Sequence, residues 1–154
     1  MKQIIRCSNE SDYTLAKKIS QDYIEWLKID LTFQNIDREF SEFSSMYGPP
    51  YGVYLLSFLN NELAGGVGLR KLEDDICEMK RLYVYDRFKG KGIGRSLCEG
   101  LIIEATKMGY KRMRLDSMER LSAAIRLYER IGFKDIEMYR FNPDPTTRFM
   151  EIHL

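Results

Sequence analysis

Glycines at 90, 92 and 94, set among Lys89, Lys91 and Arg95, are the densest group in this chain suited to chemistry. Three glycines in five residues let the backbone approach a ligand without Cβ atoms in the way. A helical apolar pattern starts directly at Ile93, so these amides stand at a helix N-terminus. There four N–H groups lack an internal partner and the macrodipole favours an anion. The indicated chemistry is a phosphate-bearing ligand held by backbone donors. Leu82 and Val84 alternate ahead of the loop, so a strand must feed it.

Two general phosphate loops fail on spacing. A dinucleotide-binding loop has an acidic residue roughly 20 positions downstream, where Asp116 stands, but its third glycine would fall at Arg95. About sixty residues then remain for the rest of a doubly wound sheet. A nucleotide-triphosphate loop needs a glycine five positions before Gly90 and a Ser or Thr near the lysine; Tyr85 and Ile93 occupy those places.

The remaining elements can be read in order. Gln3–Cys7 is expected as a short strand, and the polar Ser8–Asp12 supplies helix-capping side chains. Leu15, Ile19, Tyr23, Trp26 and Leu27 then share one helical face as far as about Asp30. Leu31–Gln34 reads as a connection and Arg38–Met46 as a second helix ending before Gly48-Pro49-Pro50. Val53–Leu59 and Ala64–Leu69 flank Asn60-Asn61-Glu62 as a hairpin, with Gly65-Gly66 suggesting a bulge or close approach. The third strand, Ile76–Val84, leaves Glu78, Lys80 and Leu82 on one face and Cys77, Met79, Arg81 and Tyr83 on the other. After the loop come a helix up to Gly109, a strand at Arg112–Asp116, a helix over Ser122–Ile131 stopped by Gly132, and strands at Phe133–Met138 and Phe149–Leu154. An antiparallel meander followed by strand–helix–strand–helix units implies an α/β fold with one mixed sheet covered by helices, in a single domain over 1–154.

Composition narrows the ligand. Lys plus Arg number 24 against 23 Asp plus Glu, a net charge of +1 that gives no sign of a nucleic-acid partner. Three scattered cysteines and a sole histidine, His153, indicate neither a disulfide framework nor a metal site. The N-terminal MKQIIRCSNES lacks an apolar signal core, and no apolar run approaches the ~18–20 residues of a membrane helix. A cytoplasmic protein with reduced thiols and no membrane partner is expected.

Residues 77–97, CEMKRLYVYDRFKGKGIGRSL, resemble the acetyl-CoA-binding motif of the GNAT superfamily of N-acetyltransferases, in which a strand ends in an Arg/Gln-x-x-Gly-x-Gly/Ala turn that opens a helix. Ala124–Phe133 is similar to that family's Ala-x-x-Leu-Tyr-x-x-x-Gly-Phe segment. The chain departs from the pattern at Lys89, which holds the Arg or Gln position, and at Leu121, where an Asn is frequent. The resemblance implies acetyl-CoA as cosubstrate, without metal, lying between strands splayed at Leu82–Val84 and Arg112–Asp116. The backbone of Leu82, Tyr83 and Val84 would bond the pantetheine arm. The amides of Lys89, Gly90, Lys91, Gly92, Ile93, Gly94 and Arg95 would hold the pyrophosphate. The acceptor would be a small-molecule or peptide amine attacking in a ternary complex; a non-catalytic acyl-CoA-binding module is the alternative. Homodimers are frequent in such a family, so a homodimer is an open expectation.

Transfer to an amine benefits from a base, an oxyanion donor and an acid for the leaving thiolate. The resemblance points to Tyr128 as the acid, against the plainer reading of a packed helix aromatic. Glu78, on the strand feeding the loop, is the candidate base, against an ion pair with Lys80 or Arg112. Asp116 reads first as a cap of the following helix and second as a substrate-orienting group. Trp26, Phe33, Tyr51 and Tyr139 are expected around the acceptor, with Arg140 able to grip an acidic group.

Overall fold

The computed structural model describes residues 1–28 and 35–154; the connection expected at Leu31–Gln34, and with it Phe33, lies outside the described residues. Strand β1 (Lys2–Arg6) is followed by α1 (Glu10–Leu27). The Asn9 side chain accepts from the Asp12 amide at 2.9 Å and the Asp12 carboxylate accepts from the Ser8 amide at 3.0 Å, so the helix starts on a reciprocal cap. The single helix expected over 38–46 is two short ones, α2 (Ile36–Ser41) and α3 (Phe43–Met46), interrupted at Glu42. Glu39, Phe43 and Tyr47 from this stretch are buried together against the sheet.

Strands β2 (Val53–Leu59) and β3 (Glu62–Glu73) form the hairpin on a two-residue turn. Asn60 and Asn61 take φ of 50° and 68°, the left-handed pair that a tight hairpin turn demands and that Asn tolerates. β3 runs four residues past its expected end before β4 (Ile76–Val84). The irregularity lies opposite the suspected glycines. Gly66 pairs with Tyr83 and Gly68 with Lys80, so β4 carries one extra residue there, and Arg81 adopts φ 61°. That bulge resets the alternation. Arg81 and Tyr83 join Glu78 and Lys80 on the α1 side, while Leu82 and Val84 pack toward α4 with Cys77 and Met79, which corrects the expected faces. Gly68 is needed for a different reason: a Cβ there would meet the Tyr47 ring at 2.7 Å.

A 3-10 turn (Asp86–Phe88) and the glycine loop lead into α4 (Ile93–Lys107), then β5 (Arg112–Ser117), α5 (Ser122–Ile131), β6 (Lys134–Ile136) and β7 (Arg148–His153). The sheet order is β1-β2-β3-β4-β5-β7-β6, with β4 and β5 parallel and the other neighbours antiparallel. One core fills the α4–α5 face, around Leu97, Leu101 and Met113; a second, rich in tyrosine, fills the α1–α3 face around Ile19, Phe43 and Tyr54. β6 is half its expected length because the chain leaves the sheet and carries Tyr139 back over β4.

Candidate active site

β4 and β5 pair only from Ile76–Glu78 to Arg112–Arg114 and then diverge. The wedge therefore opens between Met79–Val84 and the end of β5, so Arg112–Arg114, expected on a splayed edge, is in fact the paired seam. A groove of about 540 Å³ fills this wedge, within the range of small-molecule sites. Its walls include Leu82, Tyr83, Val84, Lys89, Gly90, Gly92, Ile93, Gly94 and Arg95. Lys91 is not among them; its carbonyl accepts instead from Lys2 Nζ at 3.3 Å. Gly90 and Gly92 take φ of 80° and 77°, and Gly92 is the residue preceding the first turn of α4. No side chain caps that helix start, which leaves its donors to a ligand.

Tyr128 lines the same groove from α5 and packs edge-on against Phe133, with ring centroids 5.8 Å apart. Burial, and behind it the charges near Cys98, Tyr23 and Asp116, raise its phenol well above the ordinary value of 10.0, so it stays protonated at neutral pH and able to donate. Trp26 stands on the groove wall: Lys89 Nζ lies 4.6 Å from its ring centroid and Tyr83 5.6 Å away. Among the wall residues that sequence reasoning missed are Phe88, Arg120 and the start of α5, Ser122 to Ala124. Ser122 to Ala124 had a signal, since they run into the second motif at Ala124. Arg120 had none; its guanidinium reaches the Leu27 carbonyl from 93 residues away.

A smaller recess of about 60 Å³ joins the groove, sharing Tyr23, Met79, Arg81, Asp116, Ser117 and Leu121 with it and adding Lys80 and Asn142. Arg81 is paired with Glu39, giving it hydrogen bonds of 3.1 and 2.6 Å while Tyr47 donates to the same carboxylate at 2.7 Å. Burial works against the Glu39 anion, but the Arg81 bonds and charge prevail and hold its carboxyl below the ordinary value. Lys80 is pulled down to about 7, chiefly by burial and then by Arg81.

Three expected roles change. Glu78 is fully buried, lines neither cavity and has both oxygens occupied: Arg70 Nε donates to Oε1 at 3.0 Å, and Tyr139 Oη at 2.6 Å and Arg140 donate to Oε2. A carboxylate so committed anchors the segment around Tyr139 and Arg140, which speaks against its use as a base, and Arg112 pairs with Glu151 instead. Tyr51 lies at the opposite end of the sheet, 58% exposed, with Lys71 over its ring and Tyr110 on its carbonyl. It precedes β2 and lines neither cavity. Asp116 caps nothing: α5 begins after Leu121 without a side-chain cap.

Comparison with known proteins agrees with this geometry. Residues 20–133 match the acetyltransferase (GNAT) family. An uncharacterised N-acetyltransferase of Schizosaccharomyces pombe is 37% identical over 140 residues, spanning 90% of this chain and 86% of that protein. The crystal structure of a GNAT-family acetyltransferase from Staphylococcus aureus superposes with a TM-score of 0.79 at 19% identity, over 99% of each chain. PaiA N-acetyltransferase from Thermoplasma acidophilum, solved in complex with coenzyme A, gives 0.74 at 18% identity over 100% of this chain and 99% of that one. The chain belongs to the GNAT family. It is an N-acetyltransferase that depends on acetyl-CoA.

Proposed function

We propose that the protein transfers acetyl directly from acetyl-CoA to a primary amine within a ternary complex, the cosubstrate occupying the groove and the amine entering from the recess. The observation that carries this is the 540 Å³ wedge, which has an uncapped glycine-rich helix start at one end and Tyr128 on its wall. The residues fit the group. A Cβ direction at Gly90 meets nothing within 4 Å, so the backbone there is open to a pyrophosphate, and Lys89 and Arg95 add positive charge. Leu82, Val84 and Leu127 give the arm an apolar wall.

When bound, acetyl-CoA supplies an acetyl group activated as a thioester. Water takes the proton from the acceptor ammonium, the neutral nitrogen bonds to the acetyl carbon, the carbon–sulfur bond breaks, and the nitrogen gives its second proton to water to leave the neutral amide. Tyr128 gives its phenol proton to the departing thiolate and is reprotonated from solvent. Glu78 acts as a positioning residue that holds the segment of Tyr139 and Arg140 in place. Calorimetric titration with acetyl-CoA and CoA, followed by thiol release over an amine panel, tests the reading. Absence of heat at high micromolar cosubstrate sinks it.

A further inference from the structure

Two features beside the groove remain unused by the transfer chemistry. Asp116 on β5 has an Oδ2 shut off from solvent that accepts no hydrogen bond among the described residues. It stands where the recess meets the groove and lines both. Its charge is felt at Tyr128 and at Tyr23, Lys80 and Tyr139, which puts it in the middle of the site. A shielded carboxylate oxygen without a donor is unfavourable unless something supplies one. An ammonium does.

The second feature is cationic. Among the described residues, Arg70 and Arg140 share the single carboxylate of Glu78. Burial first, and the charge of Arg70 second, push Arg140 down to about 10, so it remains a cation at neutral pH in surroundings that disfavour one. Tyr139 connects the two features, donating to the Glu78 oxygen that Arg140 also bonds while it feels Asp116. Asn142, two residues beyond Arg140, forms part of the recess wall.

We propose that the acceptor is a small amino acid held across the junction of recess and groove, with Asp116 receiving the ammonium and the Arg70–Arg140 pair, which lines neither cavity and lies on Glu78 beyond the recess wall, receiving the carboxylate. This rests on the transferase reading above. Asp116 orients the nitrogen toward the groove by a charge-assisted hydrogen bond, and water removes the proton before attack. Arg81 takes no part, because Glu39 already neutralises it.

The test uses the full chain with acetyl-CoA and follows thiol release with the twenty amino acids, β-alanine and γ-aminobutyrate, each paired with its carboxamide, alongside spermidine and tyramine. At least one amino acid should exceed its carboxamide in kcat/KM by about 100-fold, the effect of losing one hydrogen bond to a charged group. Asp116→Asn should lower kcat/KM for that acceptor about 30-fold with the acetyl-CoA Kd unchanged, and Arg140→Gln should raise its KM with little change in kcat. Equal or better turnover of carboxamides or polyamines overturns the amino-acid assignment and leaves the transferase reading standing. Silence across every amine, with acetyl-CoA bound, overturns both. The wild-type comparison decides the matter even if a variant fails to fold.

Discussion

The groove and the recess meet along Met79, Arg81 and Asp116, yet they are made in opposite ways. The phosphate end of the groove is made of backbone, with positive-φ glycines and an uncapped helix start on the continuous stretch from Leu82 to Arg95, while α1, β5 and α5 close the other walls. The recess depends on polar side chains brought from far apart, Lys80 and Arg81 on β4, Asp116 on β5 and Asn142 beyond β6, with Arg81 held by Glu39 from 42 positions away. Backbone recognition suits a cosubstrate common to a family, because amides are the same whatever the residue. Side-chain recognition suits an acceptor that differs from one member to the next.

The contrast can be broken at several points. Glu39→Gln should do most damage, because it strands the Arg81 guanidinium inside the α1–α3 core; loss of one partner of a buried pair costs about 3–5 kcal/mol. The sign with pH is fixed. Glu39 titrates below its ordinary 4.5 in the fold, so its contribution is complete above 4.5 and is lost as pH falls through the lower folded value. Urea denaturation should therefore show the full deficit at pH 7 and a shrinking one below pH 4.5.

Tyr128→Phe acts on the groove wall. A loss of acid catalysis of about 10²-fold in kcat is expected, with the acetyl-CoA Kd from calorimetry nearly unchanged. An unaltered rate returns Tyr128 to the core beside Phe133. Gly92→Ala touches the groove alone. Holding alanine at φ 77° costs about 1–2 kcal/mol, so cosubstrate affinity should weaken roughly 10-fold while the acceptor KM stays put. Tyr51→Ala, on the far end of the sheet, should leave kcat, both affinities and the melting temperature within error.

The same contrast decides what could be read from sequence. The loop was legible because Gly90, Gly92 and Gly94 are contiguous and their backbone does the work, and the order of the strands and main helices followed from local periodicity. Arg81 was placed on the wrong face because a bulge in β4 turns it toward Glu39, 42 positions away, and no spacing within β4 reveals that partner. Glu78 looked like a free strand carboxylate for the same reason: Arg70, Tyr139 and Arg140 arrive from two other segments. Asp116 offered a local cap as its simplest use, and only the folded sheet shows its oxygen without a donor.

The short seam between β4 and β5 has one more consequence. Beyond Glu78 and Arg114 the sheet has two internal edges facing each other, the kind of unpaired border that sheets otherwise keep at their margins and shield. The amides along Met79–Val84 and Leu115–Ser117 that point across the gap should exchange with solvent deuterium faster than those of the closed seam at 76–78. Bound acetyl-CoA should slow them, so occupancy is readable amide by amide as the mending of a split sheet.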